Sequence, residues 1–238
     1  MVSSLVPNGY IFASTAWRDF LPAGSEELAI RQLAMYYAIV SLGADPSSEL
    51  YGLVGSTAAV MGHSLGGSST LLLAEKSPNI FTSALPLSGC IVTGIEAIRI
   101  PTMLLTGTSD CICGPKANAD PIYNNISSSC KILADLVNAT HCNFAEFTVL
   151  DPVVASACSL VELATGKASG CAGEPGYIHH ITAARQFALV DRYALPFLDW
   201  TLKGQAAAGT QLLAALDEDS VSGVVQRLVS PGCLTEPV

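Results

Sequence analysis

A chain of 238 residues suits one domain, and a composition that is 50% apolar and 13% charged fits a large core with buried strands. No run of eighteen apolar residues occurs, so no transmembrane helix is expected. The formal charge of −9, without basic clusters, excludes nucleic acid as a partner, because phosphate contact needs Lys and Arg. Met1 to Tyr10 carries neither a basic n-region nor an apolar h-region, so no signal peptide is read there.

In chain order, the apolar stretch 9–16 reads as a short strand. Residues 25–42 place Leu28, Leu33, Tyr36, Tyr37 and Val40 at helical spacing, with Ser25 as N-cap and Gly43 as stop. A polar loop over 44–56 leads to a buried strand at 57–61, then a helix from Leu65 to Lys76 closed by Ser77-Pro78-Asn79. Strands are expected at 84–88, at 102–106 after Pro101, and at 131–137, with a short helix at 116–126 between the last two. Residues 145–180 read as a surface insertion rich in Ala, Gly and Cys. A long helix from Ile181 to Lys203 follows it, and 205–238 form a C-terminal extension with an Ala/Leu helix. Strands alternating with helices imply an α/β fold, a mostly parallel sheet covered by helices on both faces, in one domain over 1–238.

Gly62-His63-Ser64-Leu65-Gly66-Gly67 falls between a strand and a helix. That context is what G-x-S-x-G requires to act as a nucleophile elbow: a sharp strained turn holds the serine at the carboxyl edge of the sheet. The Leu65 amide then lies at the helix N-terminus, where it can donate to a developing oxyanion. A serine hydroxyl needs a base, and in this geometry acid and base follow it in chain order. His141 stands just past the strand at 131–137, where a base belongs; His63 precedes the serine and is expected to point elsewhere. His179 and His180, opening the long helix, are the competing bases. Asp110 ends the run Met103-Leu104-Leu105-Thr106-Gly107-Thr108-Ser109-Asp110 and is the favoured acid, with Asp120, Asp135 and Asp151 as alternatives.

The eight cysteines are Cys90, Cys111, Cys113, Cys130, Cys142, Cys158, Cys171 and Cys233. An even, fairly high count points to an oxidising, secreted or extracytoplasmic setting, as do the sequons at Asn125 and Asn138. Their spacing holds no paired C-x-x-C, so no metal is expected.

From Val6 to Phe144 the chain resembles the cutinase-like polyester hydrolases of the α/β-hydrolase fold and their dienelactone hydrolase and chlorophyllase-like relatives. The pieces that match are Pro7-Asn8-Gly9-Tyr10-Ile11-Phe12, the elbow, Pro86-Leu87, Ile100 to Gly107, and Ala139-Thr140-His141. The separations agree as well, 46 positions from Ser64 to Asp110 and 31 from Asp110 to His141. The resemblance implies Ser64, Asp110 and His141 as a triad, Leu65 as one oxyanion donor, and hydrolysis of an uncharged or apolar ester through an acyl-enzyme, with no cofactor. His63 and Cys90 would flank the substrate, Cys90 near the place where polyester hydrolases carry a Trp. Against the family the chain reads as shortened at its N-terminus, without the strands and loop that supply a second oxyanion donor. An exposed sheet edge would follow, which a homo-oligomer could cover. An impaired relative that only binds a ligand is the alternative reading. If the triad forms, Cys142 lies near Cys111 and Cys113 and is expected to bond one of them, while Cys158 and Cys171 would close the insertion.

Overall fold

A computed structural model describes residues 2–14, 24–110, 112–144 and 180–235. Five strands form one sheet in the order of the chain: β1 (Ala59–His63), β2 (Ser83–Leu87), β3 (Thr102–Gly107), β4 (Lys131–Leu136) and β5 (Val225–Val229). β1 to β4 run parallel, with Met61 opposite Leu85 and Thr106 opposite Asp135. β5 runs antiparallel to β4, with Gln226 opposite Asp135.

Parallel strands need crossovers, and the helices that supply them cover both faces. Seven helices are described: α1 (Val2–Leu5), α2 (Ser25–Ala44), α3 (Leu65–Lys76), α4 (Ala119–Asn125), α5 (Ala183–Lys203), α6 (Ala206–Val221) and α7 (Gly232–Thr235). Strand alternation splits the apolar residues into two cores. Leu85, Met103, Leu105, Ile132 and Leu136 face Tyr193, Phe197, Leu212 and Leu216 of α5 and α6. Val60, Ala84, Leu104 and Leu133 face Leu71 and Leu72 of α3 and Ile122 of α4. β2, β3 and β4 are thus buried on both sides over nearly their whole length, whereas β5 alternates buried and open positions.

α5 begins at Thr182, whose side chain accepts from the Arg185 N–H, and ends at Gly204 in the left-handed region. No described helix is long and apolar enough to cross a membrane. The expected insertion at 145–180, except His180, lies outside the described residues, as do Cys111, Cys158 and Cys171.

Three expectations are corrected. Residues 10–14 form no strand; Gly9 adopts a left-handed turn after a short 3-10 helix, and Tyr10 packs on the α5 side, its hydroxyl donating to Asp199 at 2.7 Å. Ser25 is the first residue of α2 rather than its cap, which is Gly24. β1 runs two residues later than expected, because Gly62 and His63 continue the pairing with Pro86 and Leu87 up to the elbow.

Candidate active site

β1 and α3 meet at a single residue. Ser64 holds φ 57° and ψ −120°, a region costly for a side chain with a Cβ. Its N–H donates to Leu87 O at 2.9 Å, so the turn is bonded to the neighbouring strand. The turn is tight enough to require glycine: a Cβ on Gly62 would lie 2.4 Å from Gly66 O. Leu65 is the first residue of α3, so its N–H is among the helix donors that lack an intrahelical partner.

Beyond β3 the chain turns at Gly107 into the loop that carries Asp110. A Cβ on Gly107 would stand 2.4 Å from Ala139 O, so only glycine lets this loop approach the one after β4. The two loops are then stitched together: Ser109 N–H donates to Ala139 O at 3.0 Å and Asn138 N–H to Thr108 Oγ1 at 2.9 Å.

His141 lies at the centre. Its Nδ1 is 2.8 Å from Asp110 Oδ2 and its Nε2 is 2.8 Å from Ser64 Oγ. Asp110 is 3% exposed and His141 6%, so this end of the relay is nearly dry. The second carboxylate oxygen, Asp110 Oδ1, accepts the backbone N–H groups of Ile112 and Cys113, each at 2.8 Å. Burial pushes this carboxyl up, but the hydrogen bond and charge of His141 and the two backbone donors outweigh it and hold it below its ordinary value. Asp110 is thereby held as a carboxylate against the His141 ring.

Sequence reasoning missed several supports of this relay. Gln186 of α5, wholly buried, donates from Nε2 to Thr140 O at 2.9 Å and accepts the Thr140 N–H at 3.1 Å. It thus satisfies both backbone groups of the residue before the base. His63 turns towards the base instead of away from it, its Nε2 2.9 Å from His141 O. Cys90 is bonded to Cys113, so its sulfur ties the Asp110 loop to the chain after β2. The pairing also excludes Cys113 as the partner of Cys142, which is itself in a disulfide. A second described bridge, Cys130–Cys233, ties the start of β4 to α7. No local pattern could have signalled these pairings.

The other candidates fall elsewhere. Asp120 sits in the first turn of α4 and Asp135 in β4, and neither meets His141. His180 stands ahead of α5, outside the relay; His179 and Asp151 lie outside the described residues. Among the described residues no three His, Cys, Asp or Glu side chains gather to hold a metal ion.

The model of a family described as PET hydrolase-like matches residues 23–156, over half of the chain and all three relay residues. The chain belongs to the PET hydrolase-like family. Relatives at the sequence level include cutinase est1 of Thermobifida alba, 39% identical over 88 residues, which is 36% of this chain and 29% of that protein. Cutinase 2 of Thermobifida cellulosilytica is 36% identical over 88 residues, 36% of this chain and 33% of that protein. The bis(hydroxyethyl) terephthalate hydrolase of Streptomyces coelicolor is 33% identical over 84 residues, 34% of this chain and 27% of that protein. The chain spans about a third of the length of these relatives. The mostly parallel five-stranded sheet with helices on both faces is the α/β-hydrolase fold of this PET hydrolase-like family.

Proposed function

We propose that this chain is a serine carboxylic ester hydrolase that works through an acyl-enzyme. The observation that carries the reading is the unbroken hydrogen-bonded relay from Ser64 Oγ through His141 to Asp110. Ser64 Oγ attacks the ester carbonyl while His141 Nε2 takes its proton, and the Leu65 N–H donates to the oxyanion. The Asp110 carboxylate fixes the tautomer that leaves Nε2 free to accept, and it stabilises the imidazolium. His141 returns the proton to the leaving alcohol; a water activated in the same way then releases the acid and restores Ser64.

An uncharged or apolar ester is the substrate class we infer, since the chain carries a net charge of −9 that repels anions. The names of the relatives, cutinases and a bis(hydroxyethyl) terephthalate hydrolase, favour esters of polyester type. Disulfides in the core of the fold suit a secreted or extracytoplasmic setting.

Ser64→Ala tests the reading. Turnover of p-nitrophenyl acetate is expected to fall by about 10⁴-fold or more, and a fluorophosphonate probe is expected to label the wild type at Ser64 only. Undiminished turnover in the folded variant would refute the assignment. An unlabelled Ser64 would favour a relative that binds without catalysis.

A further inference from the structure

The relay leaves one half-buried imidazole beside it without a chemical step. His63 ends β1, one residue before Ser64. Its Nε2 is 2.9 Å from the His141 carbonyl oxygen, and a carbonyl only accepts, so the His63 Nε2–H donates. The ring is packed as well as bonded. Its centroid lies 4.7 Å from that of His141, tilted by 48°, and 6.2 Å from that of Phe144, inclined by 25°. The Phe144 N–H approaches the same carbonyl at 3.4 Å, a longer contact than that of His63.

We propose that His63 is a positioning residue for the base: its Nε2–H fastens the His141 main chain to the strand end that carries Ser64. The inference rests on the triad reading above and adds a residue to it. Its physical content is a matter of reference frames. Ser64 is carried by β1 and His141 by the loop after β4, with β2 and β3 between them in the sheet. Without a direct tie, the Nε2···Oγ separation of 2.8 Å inherits small displacements at three strand pairings. A bond from His63 to His141 O refers both partners to one residue pair. Misplacement of a reacting group by about 1 Å can cost about 100-fold in rate.

The tie must not interfere with the charge that the base acquires. Burial, and then the neighbouring His141, push the His63 imidazole down to about 4, while the hydrogen bond to the His141 carbonyl and the Asp110 carboxylate pull it up less strongly. The ring is therefore neutral at neutral pH and does not repel the imidazolium of His141. The carbonyl acceptor selects the tautomer with its proton on Nε2.

Three variants and one spectrum test the proposal. His63→Met removes the donor while filling much of the volume, and kcat for p-nitrophenyl acetate is expected to fall about 10–100-fold with KM within about two-fold. His63→Gln keeps a donor and is expected to recover most of that loss, to within about five-fold of wild type. Equal losses in the Met and Gln variants, a loss confined to KM, or wild-type kcat in His63→Met would each overturn the proposal. If His63→Met does not fold, His63→Phe takes its place. In the unaltered protein, ¹⁵N-detected NMR of the imidazoles is expected to show His63 protonated at Nε2 and unresponsive between pH 5 and 8; an unprotonated Nε2 overturns the proposal whatever the variants do. The two readings fail separately. An active Ser64→Ala removes the hydrolase assignment, whereas an inactive Ser64→Ala beside a fully active His63→Met removes only the role given to His63.

Discussion

Replacing Asp110 by Asn changes one atom in the acid and is expected to reverse the tautomer of the base. In the wild type, Oδ2 accepts from His141 Nδ1 at 2.8 Å, while Oδ1 accepts two backbone N–H groups, also at 2.8 Å. An asparagine can keep its oxygen on those two donors only by turning its NH₂ towards His141. Nδ1 must then accept, the proton moves to Nε2, and Nε2 can no longer take the proton of Ser64. The opposite amide orientation preserves the useful tautomer but sets an NH₂ against the N–H groups of Ile112 and Cys113 in a site 3% exposed. Two buried donors without acceptors cost about 1–3 kcal/mol each. The productive orientation therefore lies about 2–6 kcal/mol above the other, a population penalty of roughly 30-fold to 10⁴-fold. Loss of the negative charge that stabilises the imidazolium adds to it, and the same replacement in a serine protease triad lowers kcat about 10⁴-fold. We expect kcat for p-nitrophenyl acetate to fall about 10³–10⁴-fold with KM little changed, in a variant shown to be folded by circular dichroism. A loss under about 30-fold would show that Asp110 does not set the tautomer, and the reasoning would fail.

Two other perturbations separate support from chemistry. Asp135 Oδ1 is buried with no hydrogen-bond partner, and burial, then the charge of Asp120, push this carboxyl up to about 7. The folded state thus holds a proton that the unfolded chain releases near pH 4; the stabilising contribution is full below that pH and is lost as pH rises through about 7. Asp135→Asn cannot ionise, so urea unfolding is expected to show it more stable than wild type at pH 8, by on the order of 3 kcal/mol, with the gain vanishing near pH 4; a pH-independent difference would count against this. Removing the Cys90–Cys113 bridge with the double variant Cys90→Ala, Cys113→Ala opens a loop of sequence separation 23 and is expected to cost about 2–4 kcal/mol in stability. Because the Cys113 N–H holds Asp110 Oδ1, kcat should also fall by about ten-fold at a temperature where the variant stays folded. An unchanged kcat would mean that the acid loop keeps its place without the bridge.

The parts of the fold that were legible in the sequence are those in which local pattern and tertiary context agree. α3 runs from Leu65 to Lys76 as its pattern implies, because a glycine-rich turn opens it and Ser77-Pro78 closes it. β2, β3 and β4 are apolar runs bounded by turns, and burial on both faces makes them readable without alternation. The stretch 9–16 carries the same apolar signal and forms no strand over its described residues, since a strand exists only where a neighbour completes its ladder. β5 fails in the opposite sense. Val225 to Val229 holds Gln226 and Arg227 and alternates over only five residues, so its place beside β4 comes from the pairing rather than from its composition.

In the candidate site, the three side chains that meet were legible and most of what positions them was not. Ser64, Asp110 and His141 each follow a strand, and a parallel sheet delivers the ends of its strands to one edge, so chain order alone brings them together. Gln186 lies 46 positions from Thr140, and Cys113 lies 23 from Cys90; nothing in either local sequence points to the other. Those contacts share a target. Gln186 takes the backbone of Thr140, His63 takes the carbonyl of His141, Cys142 is held in a disulfide, and the Cys90–Cys113 bridge anchors the N–H that holds Asp110. A relay of two hydrogen bonds of 2.8 Å tolerates little drift, and the loops that carry its acid and base lack the ladder that fixes a strand. Fastening the loops to α5, to β1 and to the chain after β2 replaces that ladder with covalent bonds and buried donors. The side chains can thereby be held at these distances without being part of the sheet.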